Sequence, residues 1–116
     1  MGVLTAGRLA AGPIVILPFP FTDLSRDKLR PTLILSKSGP EDWVVCQITT
    51  NGYADPQAML LDRSAFALGG LAQTSYLRPS KLFTAHYTLV AGRPASLTPA
   101  ALEAALKAVV AAIYDL

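Results

Sequence analysis

The hydrophobic positions of this chain come in short bursts separated by turn residues. Ile14-Val15-Ile16-Leu17 is a β-branched apolar run stopped by Pro18 and Pro20, and it reads as a strand. Thr22 to Leu29 is polar and charged and reads as a loop. Pro31-Thr32-Leu33-Ile34-Leu35 is a second strand, whose proline is tolerable because it stands at the strand's first residue. Gly39-Pro40 marks a turn, Trp43 to Thr49 a third strand, and Asn51-Gly52 closes it. Gln57 to Leu61 reads as a fourth strand, and Asp62 to Phe66 as one helical turn before Gly69-Gly70. Thr74 to Arg78 and Leu82 to Val90 complete a set of five or six strands. Turn signals recur about every ten residues, the spacing of a small all-β barrel or sandwich.

The last segment changes period. Thr98 is a plausible N-cap with Pro99 at the first helical position. Leu102, Leu106, Val109, Val110 and Ile113 then mark one helical face, and the alanines between them favour helix. The expected fold is mainly β with one α element: a compact β-barrel with a C-terminal helix packed on it. Residues 1 to 12 read as a loose extension rich in Ala and Gly, and 13 to 116 as a single domain.

Composition narrows the class. Of the 116 residues, 52% are hydrophobic and only 16% charged, so disorder is excluded and a core needs no staple. The apolar excess exceeds what one small core needs and points to a buried subunit interface. The one cysteine, Cys46, lies in the apolar run from Val44 to Ile48 and reads as a reduced core residue. One cysteine and one histidine do not make a zinc site, no carboxylate cluster suits magnesium, and no cofactor is expected. No segment approaches the ~20 apolar residues of a membrane span. Arg8 interrupts the apolar start, and Ala6 stands where a myristoylation signal needs Ser or Thr, so a cytoplasmic protein with no membrane partner is the default.

The net charge of +2 is too small to name a partner, but its distribution says more. Between Arg26 and Lys37 stand four basic residues and one acid, Asp27. From Arg63 to Leu102 there is no acid, while Arg63, Arg78, Lys81 and Arg93 are basic. Brought onto one face, these stretches make a patch suited to a polyanion, and left apart they are an ordinary solvated surface.

Three stretches hold the candidate chemistry. In the first, Lys28 and Arg30 end a charged loop, and Pro31 restricts the Arg30 backbone toward an extended conformation at a strand entrance. An arginine so pinned is placed to grip a phosphate. In the second, Thr49 and Thr50 end a strand, where a hydroxyl bonds a phosphate oxygen or simply reflects β-propensity. Strand alternation predicts that they point to opposite faces, so that at most one enters a given site. The third, Gly70 to Phe83, mixes Ser75, Tyr76, Arg78 and Lys81, with Tyr76 able either to stack on a base or to pack in a core. His86 has a suitable intrinsic pKa for proton transfer but lies far along the chain.

Taken together, these stretches resemble the PemK/MazF toxins of toxin–antitoxin pairs. The resemblance rests on Gly12-x-Ile14-Val15-x-x-x-Phe19-Pro20-Phe21-Thr22-Asp23-Leu24, on Leu29-Arg30-Pro31-Thr32-Leu33-Ile34-Leu35-Ser36, on the strand ending Thr49-Thr50, and on Ser75-Tyr76-Leu77-Arg78-Pro79-x-Lys81-Leu82-Phe83. It covers nearly all of the chain from Gly12 onward. It implies an SH3-like barrel of the CcdB/PemK type with a C-terminal helix, usually a homodimer. The implied activity is metal-independent cleavage of single-stranded RNA, controlled by a cognate antitoxin that makes any contact with DNA indirect. It carries the family's functional arginine to Arg30, its threonine to Thr49, and an RNA-contacting arginine to Arg78. Some members place an acid near Ser75, whose role does not carry over, and the loop Asp23 to Leu29 departs from better-known members. Two other classes share features with this one: a non-enzymatic, CcdB-like protein-binding toxin, and a regulator that binds only an antitoxin and its DNA. CcdB toxins end in Trp-Gly-Ile, whereas this chain ends Tyr114-Asp115-Leu116.

Overall fold

In a computed structural model of the chain, residues 12–18 and 28–114 are described. The N-terminal extension before Gly12 and the motif from Phe19 to Leu24 lie outside them, as do Arg26 and Asp27. The strands are β1 (Pro13–Pro18), β2 (Leu29–Lys37), β3 (Asp42–Thr49), β4 (Met59–Leu61), β5 (Phe66–Gly69), β6 (Ser75–His86) and β7 (Gly92–Leu97), followed by the helix α1 (Pro99–Tyr114). They form one seven-stranded sheet in the order β4-β6-β3-β2-β1-β7-β5, antiparallel at every pairing. The sheet coils into a nearly closed barrel, as the sequence pattern predicts.

Its central strands are buried on both faces, which is why they read as continuous apolar runs rather than alternating ones. Ile14, Leu33, Cys46, Ile48 and Leu77 form one cluster with Ala95 and Leu97 of β7 and with Ala105 and Val109 of α1. Val15, Leu17, Ile34, Trp43, Val45 and Ala85 form a second cluster on the opposite face. Each fully buried side chain of this size contributes roughly 1.5–3 kcal/mol.

Three strands depart from the pattern. The segment read as Thr74–Arg78 and Leu82–Val90 is one strand to His86, followed by a 3₁₀ turn at Tyr87–Leu89. Its pairing with β3 jumps from Cys46↔Leu82 to Ile48↔Leu77, so residues 78–81 bulge out of the ladder. The bulge is where a strand accommodates Pro79, which has no N–H to give. β5 and β7 are too short or too rich in Gly and Pro to show the alternation. The expected helical turn after Leu61 is a 3₁₀ turn at Arg63–Ala65, capped by the Asp62 carboxylate accepting from the Ser64 N–H.

Thr98 does cap the helix: its hydroxyl accepts from Ala101 N–H at 3.0 Å and its carbonyl from Leu102 N–H at 2.9 Å. The buried face only partly matches the expected one, since Leu102 and Val109 pack inward and the other three do not. Ala105 and Val109 are buried, with Ala101 and Leu102 packed beside them, whereas Leu106, Val110 and Ile113 are exposed at 38%, 53% and 58%. Small alanines let the helix approach the sheet closely and turn the larger side chains outward.

Candidate active site

The site lies where β2 begins and β3 ends. On one side Arg30 pairs with Leu17 of β1. On the other, β2 and β3 pair as Thr32↔Gln47, and continuing that register by two residues sets Arg30 across from Thr49. Both then point to the same face of the sheet, because alternation keeps Arg30 with Thr32 and Thr49 with Gln47. Arg30 is half-buried, and its Nε is closed off from solvent.

Beyond β3 the chain is fixed by side-chain oxygens. The Thr49 hydroxyl accepts from Asn51 N–H at 3.1 Å, and the Asn51 side-chain carbonyl accepts from Tyr53 N–H at 3.2 Å. The Thr49 hydroxyl acts in that bond as acceptor only, and its own proton remains available to donate.

A cavity of about 400 Å³ opens here. Lys28, Arg30, Thr49, Thr50, Gln73 and Ser75 supply its polar lining, and Ile16, Pro31, Ile48 and Leu71 its apolar lining. Five sequence candidates thus meet in one concavity. Thr49 and Thr50 both line it, against the expectation that alternation would part them. β3 ends at Thr49, so Thr50 sits in the following bend, where strand alternation no longer applies. Ser75 is 3% exposed, and its hydroxyl donates to the Gln73 carbonyl at 2.8 Å, which commits it to holding the chain that walls the cavity.

Tyr76, Arg78 and Lys81 do not line it. Tyr76 pairs with Thr49 and lies over Gly52, where an added Cβ would come within 2.9 Å of the ring carbons. Arg78 Nε is 3.1 Å from the Asp55 carboxylate, and Lys81 is exposed on the same bulge. His86 is at the wrong end of the barrel. It pairs with Asp42 at the start of β3, roughly 24 Å of strand from Thr49. Its Nε2 is 3.1 Å from Glu41 Oε2, while Nδ1 is 2.8 Å from Thr88 Oγ1 and accepts from Thr88 N–H at 3.2 Å. Sequence reasoning missed Gln73 and Asp55. Neither belongs to a patterned run, and each acquires its place only through the folded turn around it.

Among the described residues no group of three or more His, Cys, Asp or Glu side chains is placed to hold a metal ion. No protein-family model matches the chain, and no curated protein matches it. Solved structures do. The Mycobacterium tuberculosis toxin MazF-mt6 superposes with a TM-score of 0.66 at 25% identity, over 90% of this chain and 97% of that one. The chain shares the fold of the MazF-type toxins. Two more distant structures share the fold. An endoribonuclease in complex with its cognate antitoxin from a mycobacterial species aligns at TM-score 0.66 and 18% identity, covering 93% of this chain and 94% of that one. MazE–MazF from Deinococcus radiodurans aligns at 0.67 and 16%, covering 91% and 95%. The PemK/MazF motif strand Leu29 to Ser36 is thus β2, with Arg30 on the cavity.

Proposed function

We propose that this chain is a toxin-type endoribonuclease that cuts single-stranded RNA at the cavity between β2 and β3. The observation that carries the reading is the convergence of Lys28, Arg30, Thr49 and Thr50 on one concave surface. Two cations and two hydroxyls there suit a phosphodiester. The MazF-type neighbours, which include a toxin and an endoribonuclease, support the same reading.

In the proposed reaction the RNA's own 2′-hydroxyl attacks the adjacent phosphorus. The bond to the 5′-oxygen breaks, leaving a cyclic phosphate and a free 5′-hydroxyl. An intramolecular nucleophile needs no metal to generate it. Charge gathers on the phosphoryl oxygens, and the Arg30 guanidinium, always charged and forked to match phosphate, stabilises it. Thr49 donates its hydroxyl proton to a phosphate oxygen and holds the group in line. Lys28 and Thr50 contact the backbone on either side.

The proposed partners follow from the same surface. An antitoxin segment that is extended and acidic would cover the cationic cavity, consistent with the antitoxin complexes among the neighbours. A second copy of the chain would cover the exposed apolar stripe of α1 in a two-fold dimer. The cytoplasm, where RNA is translated, is the proposed location. The deciding experiment maps the cut ends of a long RNA incubated with the chain in EDTA. Cyclic-phosphate and 5′-hydroxyl ends are expected, and 5′-phosphate ends or a requirement for magnesium would overturn the chemistry.

A further inference from the structure

The wall of the cavity has a second side. Leu71, Ala72 and Gln73 line the Arg30 cavity and also a larger one, of about 520 Å³, on the other side of the same chain segment. That neighbouring cavity is bounded by Leu60, Phe66, Asp62, Arg63 and Thr74. Apolar contact from Leu60 and the ring of Phe66 beside polar groups suits a nucleobase, which takes a stacking surface with hydrogen-bonding partners at its edge.

The dividing segment is pinned at both ends. Gly69 has φ +62°, and a Cβ there would collide with the Pro94 carbonyl of β7, so only glycine permits the contact. At the other end the buried Ser75 hydroxyl holds the Gln73 carbonyl at 2.8 Å. Gln73 therefore stands on a ridge with a fixed backbone, its amide presenting a donor and an acceptor between the two cavities. Asp62, by contrast, has its Oδ1 committed to capping the turn, where it accepts from the Ser64 N–H and hydroxyl.

We propose that the cavity from Leu60 to Thr74 takes the base next to the scissile phosphate, and that Gln73 reads the edge of that base. The proposal rests on RNA cleavage at Arg30 and deepens it. A single strand whose phosphate sits at Arg30 must place its neighbouring base within one nucleotide of that point, and one chain thickness separates the two cavities. A side-chain amide discriminates bases because it both gives and accepts a hydrogen bond, and a wrong base leaves one of these groups unmatched.

The test is sequencing of all cut ends produced from a long RNA of mixed sequence by the native chain, Gln73→Ala and Gln73→Glu. Gln73 is exposed, so neither substitution disturbs the core. The native chain is expected to prefer particular bases at a position beside the cut. Gln73→Ala should relax that preference at one position by about tenfold, with the other positions unchanged. Gln73→Glu, which keeps the shape and loses the donor, should change which base is preferred there. On a substrate carrying the preferred base the loss should appear in KM more than in kcat. A native chain that cuts without base preference overturns the inference and leaves the nuclease reading standing, as does a Gln73→Ala protein whose preferences all stay within about twofold of native. A native chain that cuts no RNA overturns both.

Discussion

Asp55 and Arg78 form an ion pair, Oδ2 to Nε at 3.1 Å, with side-chain exposures of 7% and 22%. It ties the turn after β3 to the bulge of β6, beside Cys46, whose thiol donates to the Arg78 carbonyl at 3.0 Å. Burial pushes the Asp55 carboxyl up, but the Gln57 N–H and the Arg78 guanidinium outweigh it, Lys81 adds to them, and the net value is lowered. A lowered folded pKa contributes stability that is present above the unfolded value of ~3.9 and is lost as pH falls through the folded value. Asp55→Asn should therefore flatten the decline in stability on acidification below about pH 4, read by urea melts from pH 7 to pH 2. At pH 7 Arg78→Ala should cost about 1–3 kcal/mol, because it leaves a buried carboxylate short of its partner. An unchanged melt would show that the pair contributes nothing. The pair also qualifies the role that the family resemblance gives Arg78, since RNA reaching its guanidinium meets one already bonded to a carboxylate.

Arg30 is the central test of the nuclease reading. Arg30→Ala should lower single-turnover cleavage of a short RNA by ~10²–10³, the scale for losing one transition-state donor, while RNA binding weakens far less. Arg30→Lys should recover only part of the rate, because a point charge does not reproduce the fork. Near-normal cleavage by a folded Arg30→Ala protein, checked by circular dichroism, would remove Arg30 from the mechanism.

The threonines separate hydroxyl from shape. Thr49→Val keeps the shape and should lose about 10²-fold in rate, whereas Thr49→Ser keeps the donor and should stay within about tenfold of native. Thr50, fully outside the strand and without the Asn51 contact, should respond less to Val. Equal losses at the two positions would show that the Arg30–Thr49 juxtaposition has no special weight.

Cys46 offers a check on the core that is independent of RNA. Burial, with the charge of Asp55 adding to it, pushes its thiol up to about 12. Because the thiolate is the reactive form, iodoacetamide at pH 8 should leave the native chain unlabelled and modify it fully in denaturant. Rapid labelling of the native chain would mean that β3 and β6 part readily.

The outward stripe of α1 gives the assembly prediction. Val110→Asp together with Ile113→Asp should shift sedimentation at micromolar concentration from dimer to monomer with the helix retained. A native chain that sediments as a monomer would leave the stripe without the proposed partner.

Much of this was legible in the residues. β1, β2 and β3 announce themselves because both their faces are apolar, and α1 because Thr98-Pro99 caps it. Arg30 and Thr49 were visible as strand termini, and their juxtaposition follows from the antiparallel register of two neighbouring strands. What stayed hidden depends on contacts distant in sequence. Nothing local distinguishes Gln73 from any loop glutamine until Ser75 fixes its carbonyl. The Arg78 side chain looks free until Asp55 folds back onto it from 23 residues away. The helix face was misjudged in part because its pattern was read by size, and Ala105 packs closer than Leu106.

The order of the strands bears on how the chain is made. β1 is flanked by β2, but its other edge waits for β7, where Pro13 pairs with Ser96. β5 likewise has β7 as its partner, so both edges stay open until residues 92–97 arrive. Pairings so far apart in sequence form late and slowly. During synthesis the ribosome therefore carries an open sheet, and the barrel closes only once β7 has emerged to pair with β1 and β5.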